Sequence, residues 1–166
     1  MESNVVARRE VIGILEQEFA SLLAGLTTFV RSVPTDLLYG NPKAQGSLVP
    51  TVGESILKSA AVVEQLFGGL TANLWDDPFE WTLPETLSTA DLIVEYIGEV
   101  DLTRQRAFAC FTYDGDLLKH VSVPSGESVR LLSLLLETLV TASGYQGRAV
   151  ATLKILADLG APGFII

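Results

Sequence analysis

The stretch from Ser128 to Leu159, SVRLLSLLLETLVTASGYQGRAVATLKILADL, decides the fold class. It contains no proline, and its apolar residues recur every three or four positions, which is the spacing of an α-helix. Gly160 and Pro162 follow it, and these two residue types commonly end helices. The pattern therefore predicts one long helix, against which the other helices of the chain can pack.

This predicted helix has an apolar side and a polar side when its residues are plotted at about 100° each. The apolar side consists of Leu132, Leu135, Leu136, Leu139, Val150 and Leu153. The polar side consists of Arg130, Glu137, Thr141, Tyr145, Arg148 and Thr152. Such a polar side is usually a solvated helix face. The alternative is a polar pocket that faces other helices, and both interpretations stay open.

Three earlier runs have the same helical periodicity. The first begins after Ser3 or Asn4, either of which can cap a helix, and continues to about Arg31. The second begins at Thr51, which forms a capping box with Glu54, and ends near Trp75.

The third helix is predicted to begin at a second capping box, formed by Ser88 and Asp91, and to end near Thr112. Its apolar residues, Leu92 among them, are expected to face inward. Residues 113–128 then predict a loop or short hairpin that leads into the last helix.

Proline and glycine interrupt the chain between the first two helices, over residues 33–50, and predict a long loop without regular structure. Loops of this length are often functional, although a crossover along the outside of a bundle is an equal alternative. Four helices with two connections longer than a tight turn indicate an all-α fold, a four-helix bundle. We expect residues 1–166 to form a single domain.

The composition excludes several classes of function. The chain has a formal net charge of −9, which repels phosphate backbones and anionic membrane surfaces, so we expect neither nucleic-acid binding nor membrane binding. No run of apolar residues is long enough to span a bilayer. The single cysteine, Cys110, cannot form an internal disulfide, and the first residues do not resemble a signal peptide. We therefore expect a cytoplasmic protein.

The inventory of reactive side chains is equally restrictive. With one histidine, His120, and one cysteine, the chain cannot assemble a zinc site from the usual nitrogen and sulfur ligands. No serine or cysteine lies in a recognisable nucleophile motif. Glu54, Glu64, Glu95 and Glu137 could bind a hard cation if they converged, but solvated helix faces explain them more simply.

Two segments resemble the DinB/YfiT-like family of bacterial four-helix-bundle metalloenzymes. The run from Thr141 to Arg148, TASGYQGR, followed by AVATLKILADLGAP, is similar to the family's last helix, whose pattern is H-x-x-H-H-R-G-Q before an apolar run and Leu-Gly. The segment VGESILKSAAVVEQLF resembles the family's second helix, with Glu64 at its closing glutamate. The resemblance extends to helix order and loop placement, and it implies a bundle of the DinB type with long crossover loops.

The departures from the family pattern carry more information than the matches. The resemblance implies a divalent metal bound by three histidines, but these positions are Ser59, Thr141 and Tyr145 in this chain. Hydroxyls do not hold zinc, nickel or iron with useful affinity. We therefore expect no metal and no cofactor. The candidate ligand-pocket residues are the three hydroxyl residues together with Glu137 and Arg148, which lie about one turn to either side.

Three functions remain open from the sequence. The first is a DinB-like protein that has lost its metal site and acts as a small-molecule binding or regulatory module, as the homodimer that the resemblance implies. The second is an enzyme, a transferase (of thiols, as the resemblance implies) or a hydrolase, that uses either non-histidine metal ligands or Tyr145 as a general acid or base. The third is a purely structural interaction protein whose polar helix side is solvated.

Overall fold

The computed structural model describes residues 8–40, 50–78 and 82–160, without the side chains of residues 159 and 160. The helices of these residues are α1 (Glu10–Ser32), the single turn α2 (Thr35–Leu38), α3 (Val52–Ala72), α4 (Ala90–Ala109) and α5 (Leu131–Gly160). A 3₁₀ helix (Asp114–Leu118) and a two-stranded antiparallel hairpin, β1 (His120–Ser122) and β2 (Ser128–Arg130), lie between α4 and α5. The described residues are thus mostly helical, as predicted for an all-α fold. None of their helices is both long enough and apolar enough to cross a membrane.

Contacts at one end of the molecule fix the directions of three helices. The segment around the 3₁₀ helix follows the end of α4, its Asp114 binds the first turn of α1, and the Lys119 carbonyl accepts a hydrogen bond from the amide of Leu131. Helices α1 and α5 therefore both begin where α4 ends. They are parallel to each other and antiparallel to α4.

Tyr39 joins three segments at the opposite end. Its hydroxyl donates to the carbonyl of Leu87, just before α4, and its ring lies on Gly53, where a Cβ atom would come within 2.3 Å of a ring carbon. Helices α3 and α4 therefore both begin where α1 ends. They run in the same direction, so the end of α3 and the start of α4 lie at opposite ends of the molecule.

Helix α3 is the most enclosed element. More than half of its 21 residues are buried, including small residues such as Ala60, Ala61 and Ser59 as well as large apolar ones. The aromatic centre of the core joins α3 to α1 and α4 through Phe67, Phe19 and Phe108, whose ring centroids are 5.0 to 5.9 Å apart. We expected α5 to be the helix on which the others pack, but α3 has this role because it is apolar or small on nearly all sides.

Two predicted helix starts can be compared directly with the structure. The capping box of α3 is confirmed, because the Thr51 hydroxyl accepts from the Glu54 amide and the Glu54 carboxylate accepts from the Thr51 amide. The box predicted for α4 is wrong by one residue. Its N-cap is Thr89, whose hydroxyl accepts from the amide of Leu92.

Other predicted boundaries also change. Residues 128–130, predicted as the start of the last helix, are strand β2, since they pair with β1 in register His120 with Arg130. In the first connection, residues 35–38 form the turn α2 after Pro34, because proline at a helix start costs no hydrogen bond. The suggested caps Ser3 and Asn4 lie outside the described residues, and α1 begins at Glu10.

The orientation of α5 differs from the predicted wheel. Leu136 is 48% exposed, whereas Thr152 is buried. The buried side instead follows Leu131, Leu135, Ala142, Ala149, Thr152 and Leu156. The helix is rotated in this way because it packs chiefly on α3 rather than at the centre of the other helices. Leu92 of α4, expected inside, is likewise partly exposed.

Asp114 caps α1 from a distant part of the chain. Its Oδ1 accepts from the Ile12 amide at 3.0 Å and its Oδ2 from the Val11 amide at 3.2 Å. The bond from Ile12, followed by the bond from Val11, holds the pKa of Asp114 below its ordinary value. A carboxylate at a helix N-terminus also interacts favourably with the helix dipole.

Replacing Asp114 by Asn should therefore lower the thermal unfolding midpoint at neutral pH. Because the pKa is lower in the folded state, the stabilisation is complete above the unfolded-state pKa and is lost as the pH falls through the folded-state pKa. The difference between wild type and variant should thus shrink in acid. Circular dichroism melts at neutral and acidic pH measure this, with the exposed Glu127→Gln as control. Equal midpoints at neutral pH would contradict the assignment.

Candidate functional site

A cleft of about 250 Å³ lies between α3 and α5. One wall is formed by α3 and the other by α5, and Trp75 lies beyond the end of α3. The lining residues are Val62, Gln65, Leu66, Trp75, Leu134, Glu137, Thr138 and Thr141. The cleft therefore combines an apolar wall with one carboxylate, one amide and two hydroxyls.

Trp75 reaches the cleft because of how α3 ends. Asn73 follows the helix in the left-handed conformation, with φ of 55°, which asparagine tolerates better than most residues. The chain then turns back, and the indole lies on the bare backbone of Gly69, where a Cβ atom would be 2.3 Å from a ring carbon. The indole N–H donates to the side-chain carbonyl of Asn73, and the Gln65 amide donates to the Trp75 carbonyl at 2.8 Å.

The structure brings two of the five predicted pocket residues into this cleft, Glu137 and Thr141, which are one turn apart on α5 and both exposed. Tyr145 and Arg148 are not among the residues that line it. They contact each other instead, with the guanidinium carbon 5.3 Å from the centroid of the tyrosine ring, a cation–π arrangement. Tyr145 is half-buried and Arg148 is exposed.

Ser59, the fifth predicted residue, lies inside the contact between α3 and α5. It is fully buried, and its hydroxyl donates to the carbonyl of Ala142 at 2.8 Å. The single donor of this hydroxyl therefore joins the two helices. Together with the exposed Thr141, it does not make a set of ligands that fits a divalent metal.

The four acidic residues considered as cation ligands do not share one site either. Glu54 is engaged in the capping box of α3, Glu137 lines the α3–α5 cleft, and Glu64 and Glu95 line a second cleft on the other side of α3. Among the described residues, no group of three or more histidine, cysteine or acidic side chains is arranged to hold a metal ion.

The second cleft, of about 300 Å³, contains a partly buried hydrogen bond between α3 and α4. The Tyr96 hydroxyl donates to a carboxylate oxygen of Glu64 at 2.5 Å. Burial raises the pKa of Glu64, the hydrogen bond from Tyr96 opposes this shift, and the nearby Glu99 adds to it. Burial, followed by the charge of Glu64, raises the pKa of Tyr96 above its ordinary value. The tyrosine therefore stays neutral and acts as a donor that holds the carboxylate between the helices.

Sequence reasoning missed Trp75, Gln65 and the pairing of Glu64 with Tyr96. A usable signal for Trp75 was present, since Asn73 is a typical residue for a helix end and Gly69 leaves a bare surface one turn earlier. No local signal pairs Glu64 with Tyr96, because these residues meet only once the chain has crossed the length of the molecule.

No protein-family model, curated protein or solved structure matches this chain. The site is therefore interpreted from its own geometry.

Replacing Tyr96 by Phe should raise the pKa of Glu64 further, because the opposing hydrogen bond is lost. Since this pKa is already higher in the folded than in the unfolded state, ionised Glu64 costs stability. The cost is absent below the unfolded-state pKa and complete above the folded-state pKa. We expect the free energy of unfolding of the variant to be lower than that of wild type by about 1 kcal/mol at neutral pH and by less in acid.

Carbon-detected NMR titration of the Glu64 carboxyl group and denaturant unfolding measure these two effects. Tyr113→Phe is the control, because Tyr113 is an exposed tyrosine at the other end of the molecule. An unchanged Glu64 titration in Tyr96→Phe would show that the hydrogen bond does not hold the carboxylate in solution.

Proposed function

We propose that this protein is a DinB/YfiT-like four-helix bundle without the family's histidine metal site, and that it binds a small molecule in the α3–α5 cleft. The observation that carries the proposal is the composition of the cleft. It has apolar surface from Trp75 and Leu66, with the polar groups of Glu137 and Thr141 facing the same space. Ligand sites typically combine an apolar lining with a few polar groups that fix orientation.

Several features support the bundle type. The long helices α1, α3, α4 and α5 occur in the order that the resemblance implies, with long connections after α1 and after α3. The last helix carries the segment TASGYQGR where the family has its ligand motif. The position of the family's histidine on the second helix corresponds to Ser59, which faces α5 in this chain.

The dimensions and chemistry of the cleft suggest the kind of ligand. The cleft of about 250 Å³ is slightly smaller than typical small-molecule sites, which start at roughly 300 Å³, so the ligand is expected to be small. Glu137 can accept hydrogen bonds, and the hydroxyl of Thr141 can donate or accept them. The indole of Trp75 offers a flat apolar surface. A compound with hydrogen-bond donors at one side and an apolar or cationic part against the indole fits these groups best.

Binding is better supported than catalysis. The enzyme alternative relies on Tyr145, whose ring is covered by Arg148 and which does not line the cleft. A metal-dependent mechanism would need converging ligands, and no group of three or more histidine, cysteine or acidic side chains in the described residues is arranged to hold a metal ion. The homodimer that the resemblance implies is part of the proposal.

The proposal is tested by ligand-observed NMR with a library of small amines, alcohols and carboxylates, followed by titration of each hit. Thr141→Val and Glu137→Gln should each lower the affinity for a true ligand about three- to tenfold, since each removes or weakens one hydrogen-bonding group. Ligand binding should quench or shift the tryptophan fluorescence, and this response should be altered in Trp75→Phe.

Thr28→Val is the matched control, because Thr28 is an exposed threonine on α1 whose hydroxyl bonds only within its own helix, to the Ala24 carbonyl. Hits that bind Thr141→Val, Glu137→Gln and Trp75→Phe as tightly as wild type would place the binding site elsewhere. A library without any saturable ligand would contradict the binding function.

A further inference from the structure

The outward side of α5 is an uncharged, partly apolar surface in a strongly acidic chain. From Ser133 to Ala151 its outward residues are Ser133, Leu136, Val140, Ser143, Gly144, Gly147 and Ala151. Val140 is 73% exposed and Leu136 is 48% exposed. A Cβ atom at Gly144 or Gly147 would meet nothing within 4 Å. We name these seven residues the α5 outer face.

A groove of about 460 Å³ borders this face, where α5 lies loosely beside α1. Leu22, Leu139 and Val140 line it together with Glu18. Ile14, which is 62% exposed, lies one turn before Glu18 on the same side of α1, so it extends the apolar surface across the groove.

Glycines in the middle of a helix cost up to about 1 kcal/mol each relative to alanine. Such glycines commonly permit close helix packing, but no part of the described chain packs on Gly144 or Gly147. The bare backbone that they present is a surface on which a second helix can approach closely.

We propose that the α5 outer face is the contact between two copies of this chain, in which α5 packs antiparallel on α5 of the partner subunit. This rests on the homodimer of the proposed function and names its surface. The two-fold axis passes between Ser143 and Gly144. A two-fold contact pairs one surface with itself, so the surface must be complementary to itself.

The arrangement of large and small side chains on the face provides this complementarity of shape. With the axis between residues 143 and 144, each Val140 faces Gly147 of the partner subunit, and each Leu136 faces Ala151 of the partner subunit. The large side chains thus occupy one half of the face and the small ones the other half, so that each copy fills the space that the other leaves open. The paired stretch is about 22 Å long at 1.5 Å per residue.

The charges are complementary as well. Glu137 and Arg148 lie on the same flank of the outer face, about 60° and 80° from Val140 at 100° per residue. In an antiparallel pair related by a two-fold axis, each flank faces the same flank of the other helix. The axis places Glu137 opposite residue 150 of the partner subunit, and Arg148 is only two residues away from that position. Each Glu137 can therefore reach Arg148 of the partner subunit, giving two opposite-charge pairs. Because two chains of net charge −9 repel each other overall, a contact with opposite-charge pairs is favoured.

Sedimentation velocity over a dilution series tests the proposal with the full chain. Wild type should be a dimer that dissociates on dilution, since a contact of this size is small for a stable dimer. Val140→Glu should raise the dissociation constant about a hundredfold or more, because it buries an unpaired charge. Leu102→Glu on α4, at a position 52% exposed, is the matched control and should leave it unchanged.

Gly147→Leu separates the dimer contact from the fold. Leucine is a better helix former than glycine, so the monomer should be at least as stable in thermal melts. The added side chain occupies the space of Val140 from the partner subunit, so the dimer should be lost. If Gly147 were only a surface residue, the variant would be more stable with the same dimerisation.

The charge pairs are tested by reversal. Glu137→Arg and Arg148→Glu should each weaken the dimer on the order of tenfold, and the double variant should restore it. For orientation, Ser143→Cys in a Cys110→Ser background should form an oxidised cross-linked dimer, whereas Ser133→Cys should not. Equal cross-linking at both positions would indicate parallel helices and would overturn the antiparallel contact.

Two results would overturn the proposal in different ways. If the wild type is monomeric at all concentrations, the homodimer itself is excluded. A wild-type dimer that survives Val140→Glu and Gly147→Leu retains the homodimer but excludes the α5 outer face. Ligand binding in the α3–α5 cleft is measured separately with Thr141→Val, so its success or failure is distinguishable from both.

Discussion

The enclosure of α3 is the constraint on which the rest of the structure depends. A helix with apolar or small residues on nearly all sides cannot face water, and the other long helices are arranged to cover it. Phe67 meets aromatic rings from α1 and α4, while Ser59 meets the backbone of α5. Because α3 takes the central place, α5 is left at the side of the molecule with one face outward.

That placement explains where the open surfaces lie. The α3–α5 cleft forms where the chain turns back after α3 and places Trp75 against the edge of the contact. The groove between α1 and α5 forms because these parallel helices share little of the core. On the remaining side of α3, the partly buried carboxylate of Glu64 accepts a hydrogen bond from Tyr96 of α4. Each opening therefore follows from the way one helix is covered.

The sequence was sufficient where the information is local. The helical class, the capping box at Thr51 and the turn-rich region before α5 all follow from neighbouring residues. It was insufficient where partners are distant. The rotation of α5, with Thr152 inside and Leu136 outside, depends on packing against α3, and the burial of Ser59 depends on the carbonyl of Ala142. Periodicity finds a helix but does not specify which neighbour covers which side.

The capping of α1 by Asp114 has a consequence for the order of events during synthesis. The amides that Asp114 satisfies are more than one hundred residues earlier in the chain. At about 5–20 residues per second, a ribosome needs roughly 5 to 20 s to make the intervening chain. During that interval the first turn of α1 has its amides bonded to water, and the Phe108 ring that will cover Phe19 emerges only near the end. The first helix to be made therefore gains its N-terminal cap and its contact with Phe108 only after about two thirds of the chain has been synthesised.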